Sequence, residues 1–161
     1  MTFRDLEWLF PIVVTLHNAE EAIGFPGWSR EAGSRWHGSI TSGTFRFAAA
    51  ILALLAFAVT WMSLVSGRQT VWTYLAFGYI AAMLANVPVP HVAATIALRR
   101  YVPGVATAVL LNLPVLTLLV VCALREGYVS GWKAVAYCVC VSVILVASLP
   151  VLFKLGKVLN L

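Results

Sequence analysis

Three residues near the start of the chain have types and spacing suited to chemistry. His17, Glu20 and Glu21 stand at i, i+3 and i+4, and at about 100° per residue those positions share one face of a helix. An imidazole and two carboxylates projecting together can hold a divalent cation, because both ligand types suit zinc, iron or manganese. They can equally form a proton-transfer pair, one carboxyl kept protonated by its twin and by desolvation. Were the helix to lie at a surface, the same patch, extended by Asn18, would simply face water.

His91 is the second unusual residue. It closes the run Asn86-Val87-Pro88-Val89-Pro90-His91, where two prolines remove amide donors and break a helix. Irregular backbone at membrane depth is tolerated only where it is buried in protein or lines a cavity. The break therefore brings His91 into the candidate site, with the Asn86 amide nearby. Asn112, two residues before Pro114, is a weaker candidate, since asparagine commonly bonds between packed helices. Asn86 and Asn112 are expected to support the ligands. Thr95, one turn beyond His91, could orient it, although a threonine in a span usually bonds to its own backbone. His37, beside Trp36, reads as a solvated loop histidine.

These residues need elements to hold them, and composition decides what kind. Of 161 residues, 61% are hydrophobic and only 11% charged, against about 25% charged in a typical soluble domain. Mean hydropathy is +0.93. That excludes a soluble globular domain, a disordered tail and a DNA-binding module. A spanning helix needs about 20 apolar residues at 1.5 Å each. Segments 45–65, 71–98, 102–124 and 131–153 meet this, separated by short polar joints that force antiparallel neighbours. Segment 8–24 is apolar first and polar later, and Gly24-Phe25-Pro26-Gly27 is expected to end it. The expected fold is an all-α integral membrane bundle of five transmembrane helices, the first one short, in a single domain over residues 1–161. Trp28, Trp36, Arg30 and Arg35 suit a headgroup-level loop after the first segment.

With five spans, Lys and Arg divide unequally. One side carries Arg4, Arg68, Arg125 and Lys133, and the other Arg30, Arg35, Arg46, Arg99, Arg100, Lys154 and Lys157, a split of 4 against 7. The positive-inside rule places the N-terminus outside and the C-terminus in the cytoplasm of a bacterial inner membrane. The net charge of +5 then reports topology and anionic lipid, with no nucleic acid as partner. Arg4, Asp5 and Glu7 and the absence of a small-residue cleavage site argue against a cleaved signal. Cys122, Cys138 and Cys140, an odd count within apolar runs, provide no disulfide framework. In alternating topology His17, His91 and Asn112 fall at similar depth, roughly 10–15 Å from the Lys/Arg-rich surface. Scattered packing residues would not line up in this way.

His17-Asn18-Ala19-Glu20-Glu21 resembles the signature of the HXXEE family of small bacterial membrane proteins. Its place near the N-terminus, the length and the hydropathy strengthen the likeness, as do Asn86 and His91 in a later span. The resemblance implies that His17, Glu20 and Glu21 are signature residues, and it names no substrate.

Three functions compete. In the first, a membrane enzyme holds zinc or iron through His17, Glu20 or Glu21, and His91, and acts on a lipid-soluble small molecule. One carboxylate would ligate while the other serves as base. In the second, no cofactor is needed and Glu20 or Glu21 donates a proton to an isoprenoid or sterol-like lipid, as in an isomerase or cyclase. The third is a proton- or ion-coupled transporter subunit or a scaffold, since at this length and without a repeat a complete transporter would require a homo-oligomer. No phosphate-binding loop, Ser/His/Asp pattern or CxxC pair is present.

Overall fold

The computed structural model of the protein describes residues 2–31 and 41–160, with residues 29–31 as backbone alone. The side chains of Arg30, Arg35, Trp36 and His37, expected in the headgroup-level loop, lie outside the described residues. Every described element is helical.

A short helix α1 (Phe3–Leu6) opens the chain. Thr2 and Asp5 cap it reciprocally, each side chain taking the other's backbone N–H. Phe3 and Leu6 are buried, and the Phe3 N–H donates to Glu126 Oε1 at 2.9 Å. Helix α2 follows (Leu9–Glu31), and here the expected boundary gives way: the helix continues through Pro26 for 23 residues. Packing overrides the local stop signal. Pro26 is buried, and Phe25 stacks on Phe45 at 5.0 Å between ring centroids. The first long helix is therefore longer than the 21-residue segment Val105–Arg125.

Helix α3 (Ser42–Ser66) starts at Thr41, whose hydroxyl accepts the Thr44 N–H. Thr70 does the same for α4 (Val71–Asn86) through the Thr73 N–H. The double proline then breaks the helix where the sequence indicates. Within Val87–Val92 the backbone at Val89 is extended, with φ −137° and ψ 117°, before α5 (Ala93–Leu98) resumes. After the loop to Gly104 come α6 (Val105–Thr107) and α7 (Leu113–Arg125). Between them Ala108–Asn112 forms a widened turn in which the Leu113 N–H bonds to Ala108 O, five residues back. Pro114, which cannot donate, immediately follows. Helix α8 (Gly131–Val158) completes the bundle.

Among the described residues four segments are long and apolar enough to cross a membrane: Ser42–Ser66, Val71–Leu98, Val105–Arg125 and Gly131–Val158. Phe10, Val14, Ile80, Leu116 and Leu119 form the fully buried centre, where α2, α4 and α7 meet. The outward faces are as apolar as the core, with Leu54 at 64% and Val146 at 68% exposure. A surface of that kind suits hydrocarbon, not water. Glycines let helix α8 and its neighbours approach closely. A Cβ on Gly78 of α4 would fall 2.7 Å from Tyr137 O, and one on Gly156 of α8 would fall 3.0 Å from Thr44 Cγ2 of α3.

Candidate metal centre

His17 sits on the face of α2 that also carries Phe10, Val14 and Glu21, and it is fully buried. The kink after α4 turns His91, also buried, toward it. The two imidazoles meet edge to face, with centroids 4.8 Å apart and planes at 89°. Glu21 reaches both: its Oε1 lies 3.3 Å from His91 Nε2 and 3.8 Å from His17 Nε2. Each of the three residues offers one ligand atom, and these atoms lie within 4.8 Å of one another. Asn86 Nδ2 stands 3.1 Å from His91 Nε2 and 3.5 Å from His17 Nε2. Four of the residues singled out by sequence therefore converge.

Glu20 does not join them. Its Oε1 accepts the Gly104 N–H at 2.8 Å and the Tyr101 hydroxyl, and its Oε2 accepts the Thr107 N–H at 2.9 Å and the Thr107 hydroxyl at 2.6 Å. The bond to Glu20 raises the Tyr101 phenol above its ordinary pKa. A carboxylate with four donors has no capacity left to ligate or to act as base. The motif's two glutamates thus separate: Glu21 faces the histidines and Glu20 fastens the loop before α6. Asn112 is also set apart. It is fully buried, and among the described residues neither amide atom has a hydrogen-bond partner. Thr95 Oγ1 is likewise buried without a partner and does not orient His91. Asn18, which would extend a water-facing patch were the helix at a surface, donates from Nδ2 to Ala49 O at 3.1 Å and ties α2 to α3.

Beside this cluster lies a cavity of about 580 Å³. His17, Glu21 and Asn86 are among its polar lining residues, and Phe25, Ala48, Leu52, Met83, Leu145 and Leu149 among its apolar ones. A row of stacked rings, Phe25–Phe45 at 5.0 Å and Phe45–Phe153 at 6.3 Å, also lines it. Val89 and Val146, also in the lining, are 67% and 68% exposed, so the outer rim is apolar.

Sequence reasoning missed Tyr101, Gly104 and Thr107. Their only local signal was the Tyr101-Val102-Pro103-Gly104 turn, here placed directly against the motif. The family described as a protein of unknown function with HXXEE motif matches residues 8–119, which hold the whole cluster. This chain belongs to the HXXEE family. It is 32% identical, over 147 residues and 91% of its length, to the uncharacterized protein YrkK of Bacillus subtilis (strain 168), 92% of which is covered. No solved structure matches the chain. In this HXXEE protein the motif's histidine and second glutamate face His91, and its first glutamate holds the loop.

Proposed function

We propose that the protein is a small integral membrane enzyme in which His17, Glu21 and His91 hold a divalent metal, zinc or iron, and act on a lipid-soluble molecule occupying the adjoining cavity. The observation that carries this reading is the meeting of two buried imidazoles and one carboxylate beside an apolar chamber. Two histidines and a carboxylate leave coordination positions open for water or substrate. A bare carboxylate among apolar walls is costly, and a cation shared with the imidazoles offsets that cost. Such a metal supplies Lewis acidity or an activated water. The protein's part is to orient the ligands and keep the chamber dry. The apolar rim at Val89 and Val146 favours a substrate arriving from the bilayer, with α2 as a fifth span, the N-terminus outside and the C-terminus in the cytoplasm of a bacterial inner membrane.

The 3.3 Å approach of Glu21 to His91 also favours a second reading, in which the pair shares a proton and isomerises or cyclises an isoprenoid or sterol-like lipid without a metal. Elemental analysis of the detergent-purified protein separates the two. About one zinc or iron per chain, lost in His17→Ala and His91→Ala, supports the metal enzyme. Metal-free protein that takes up neither ion overturns it in favour of acid–base chemistry.

A further inference from the structure

A chain of hydrogen bonds links the two halves of the HXXEE motif through a residue outside it. The Thr107 hydroxyl has a single proton and three acceptors in reach: Glu20 Oε2 at 2.6 Å, His17 Nδ1 at 3.0 Å and Gly104 O at 3.2 Å. The carboxylate is the nearest and the strongest of these. Glu20 already accepts three other donors, two of them backbone N–H groups, and bonds of that kind hold a carboxyl in its ionised form. The hydroxyl proton therefore points to Glu20, and Thr107 Oγ1 presents lone pairs to His17 Nδ1. Two lone pairs facing each other at 3.0 Å would repel, so Nδ1 carries a hydrogen and donates it. A neutral imidazole has one N–H, which leaves Nε2 bare on the side of Glu21, Asn86 and His91.

We propose that Glu20 and Thr107 are positioning residues, a relay that fixes His17 as its Nδ1–H tautomer and aims the free Nε2 pair at Glu21 and His91. This explains why the motif holds two adjacent glutamates. One sets the histidine through Thr107 from outside the cluster, and the other completes the cluster. The tautomer is a property of the metal-free protein. Only its consequence for ion binding rests on the function proposed above.

Nitrogen-15 NMR of histidine-labelled, chelator-stripped full-length protein at neutral pH tests the relay, with His17→Asn assigning the signal. The expected spectrum has a protonated Nδ1 and an unprotonated Nε2 at His17. Thr107→Val should shift His17 toward the Nε2–H form, and Thr107→Ser should restore the original signal. A hydrogen on Nε2 in the unaltered protein, or a tautomer indifferent to Thr107→Val, overturns the proposal. Zinc titration against a competing chelator supplies the second readout. Loss of the outer partner should weaken zinc binding about 10- to 100-fold, and serine should recover it. If the tautomer behaves as expected but the unaltered protein binds no zinc, the metal reading fails and the relay stands.

Discussion

At Gly104 the three converging side chains meet the backbone. A Cβ there would lie 2.6 Å from His91 Cε1, 2.9 Å from Glu21 Cγ and 3.1 Å from His17 Cε1, at a φ of +94°. Positive φ costs a side-chain-bearing residue roughly 1–2 kcal/mol, and the contacts add to that. Gly104→Ala should therefore lower both thermal stability and zinc content, measured on the same detergent-solubilised preparation. The two glutamates should differ in what their loss does to stability. Glu21→Gln should remove bound zinc with little change in unfolding temperature. Glu20→Ala leaves donors unmatched and should destabilise by about 1–3 kcal/mol, readable as a lowered unfolding midpoint. Helical spacing made the shared face of His17 and Glu21 legible in the sequence. The fate of Glu20 was not legible, because its partners lie 84 and 87 positions away. Asn112 was the expected supporting residue on this segment, yet Thr107, five residues earlier, makes the contact with His17. The widened turn between them rotates the helix out of the regular phase that sequence reading assumes.

At the scale of elements, length and hydropathy located four of the long segments, and Pro88 and Pro90 located the kink that delivers His91. The end of α2 was misread because Pro26 interrupts a helix only where packing does not hold it, and Phe25 stacked on Phe45 holds it. Interhelical fit was invisible for a related reason, since a glycine in an apolar run carries no mark of what approaches it. The crossing of α4 and α8 at Gly78 illustrates this. Besides the contact with Tyr137 O, a Cβ would fall 2.8 Å from Val141 Cγ2. Gly78→Leu should force the two helices apart and cost about 1–3 kcal/mol or more, whereas Ala82→Phe, at a position lining the cavity, should narrow the chamber. The first variant should unfold earlier on heating. The second should keep its zinc while losing uptake of an apolar fluorescent probe.

For the whole molecule, one carboxyl far from the candidate site couples stability to pH. Glu7, just before α2, is 1% exposed, and burial pushes its pKa up to about 7, against the pull of the Ser63 hydroxyl and Arg4. The folded state favours the protonated form, so this contribution is fully present below about pH 4.5 and is lost as pH rises through about 7. Glu7→Gln should flatten that decline in a series of unfolding midpoints between pH 5 and about 9. Orientation is testable on the same scale: a C-terminal reporter should be active in the cytoplasm, where 7 of the 11 Lys and Arg are assigned. Helix α8 also has a mechanical consequence. It is a beam whose tightest pins lie against Gly78 through Tyr137 and against Thr44 through Gly156. Ser142, Leu145, Val146, Leu149 and Phe153 hang over the chamber between the pins, and Pro150 weakens the same stretch by omitting a rung of the hydrogen-bond ladder. A load inside the chamber should therefore bow this helix at Pro150, where the ladder is one rung short.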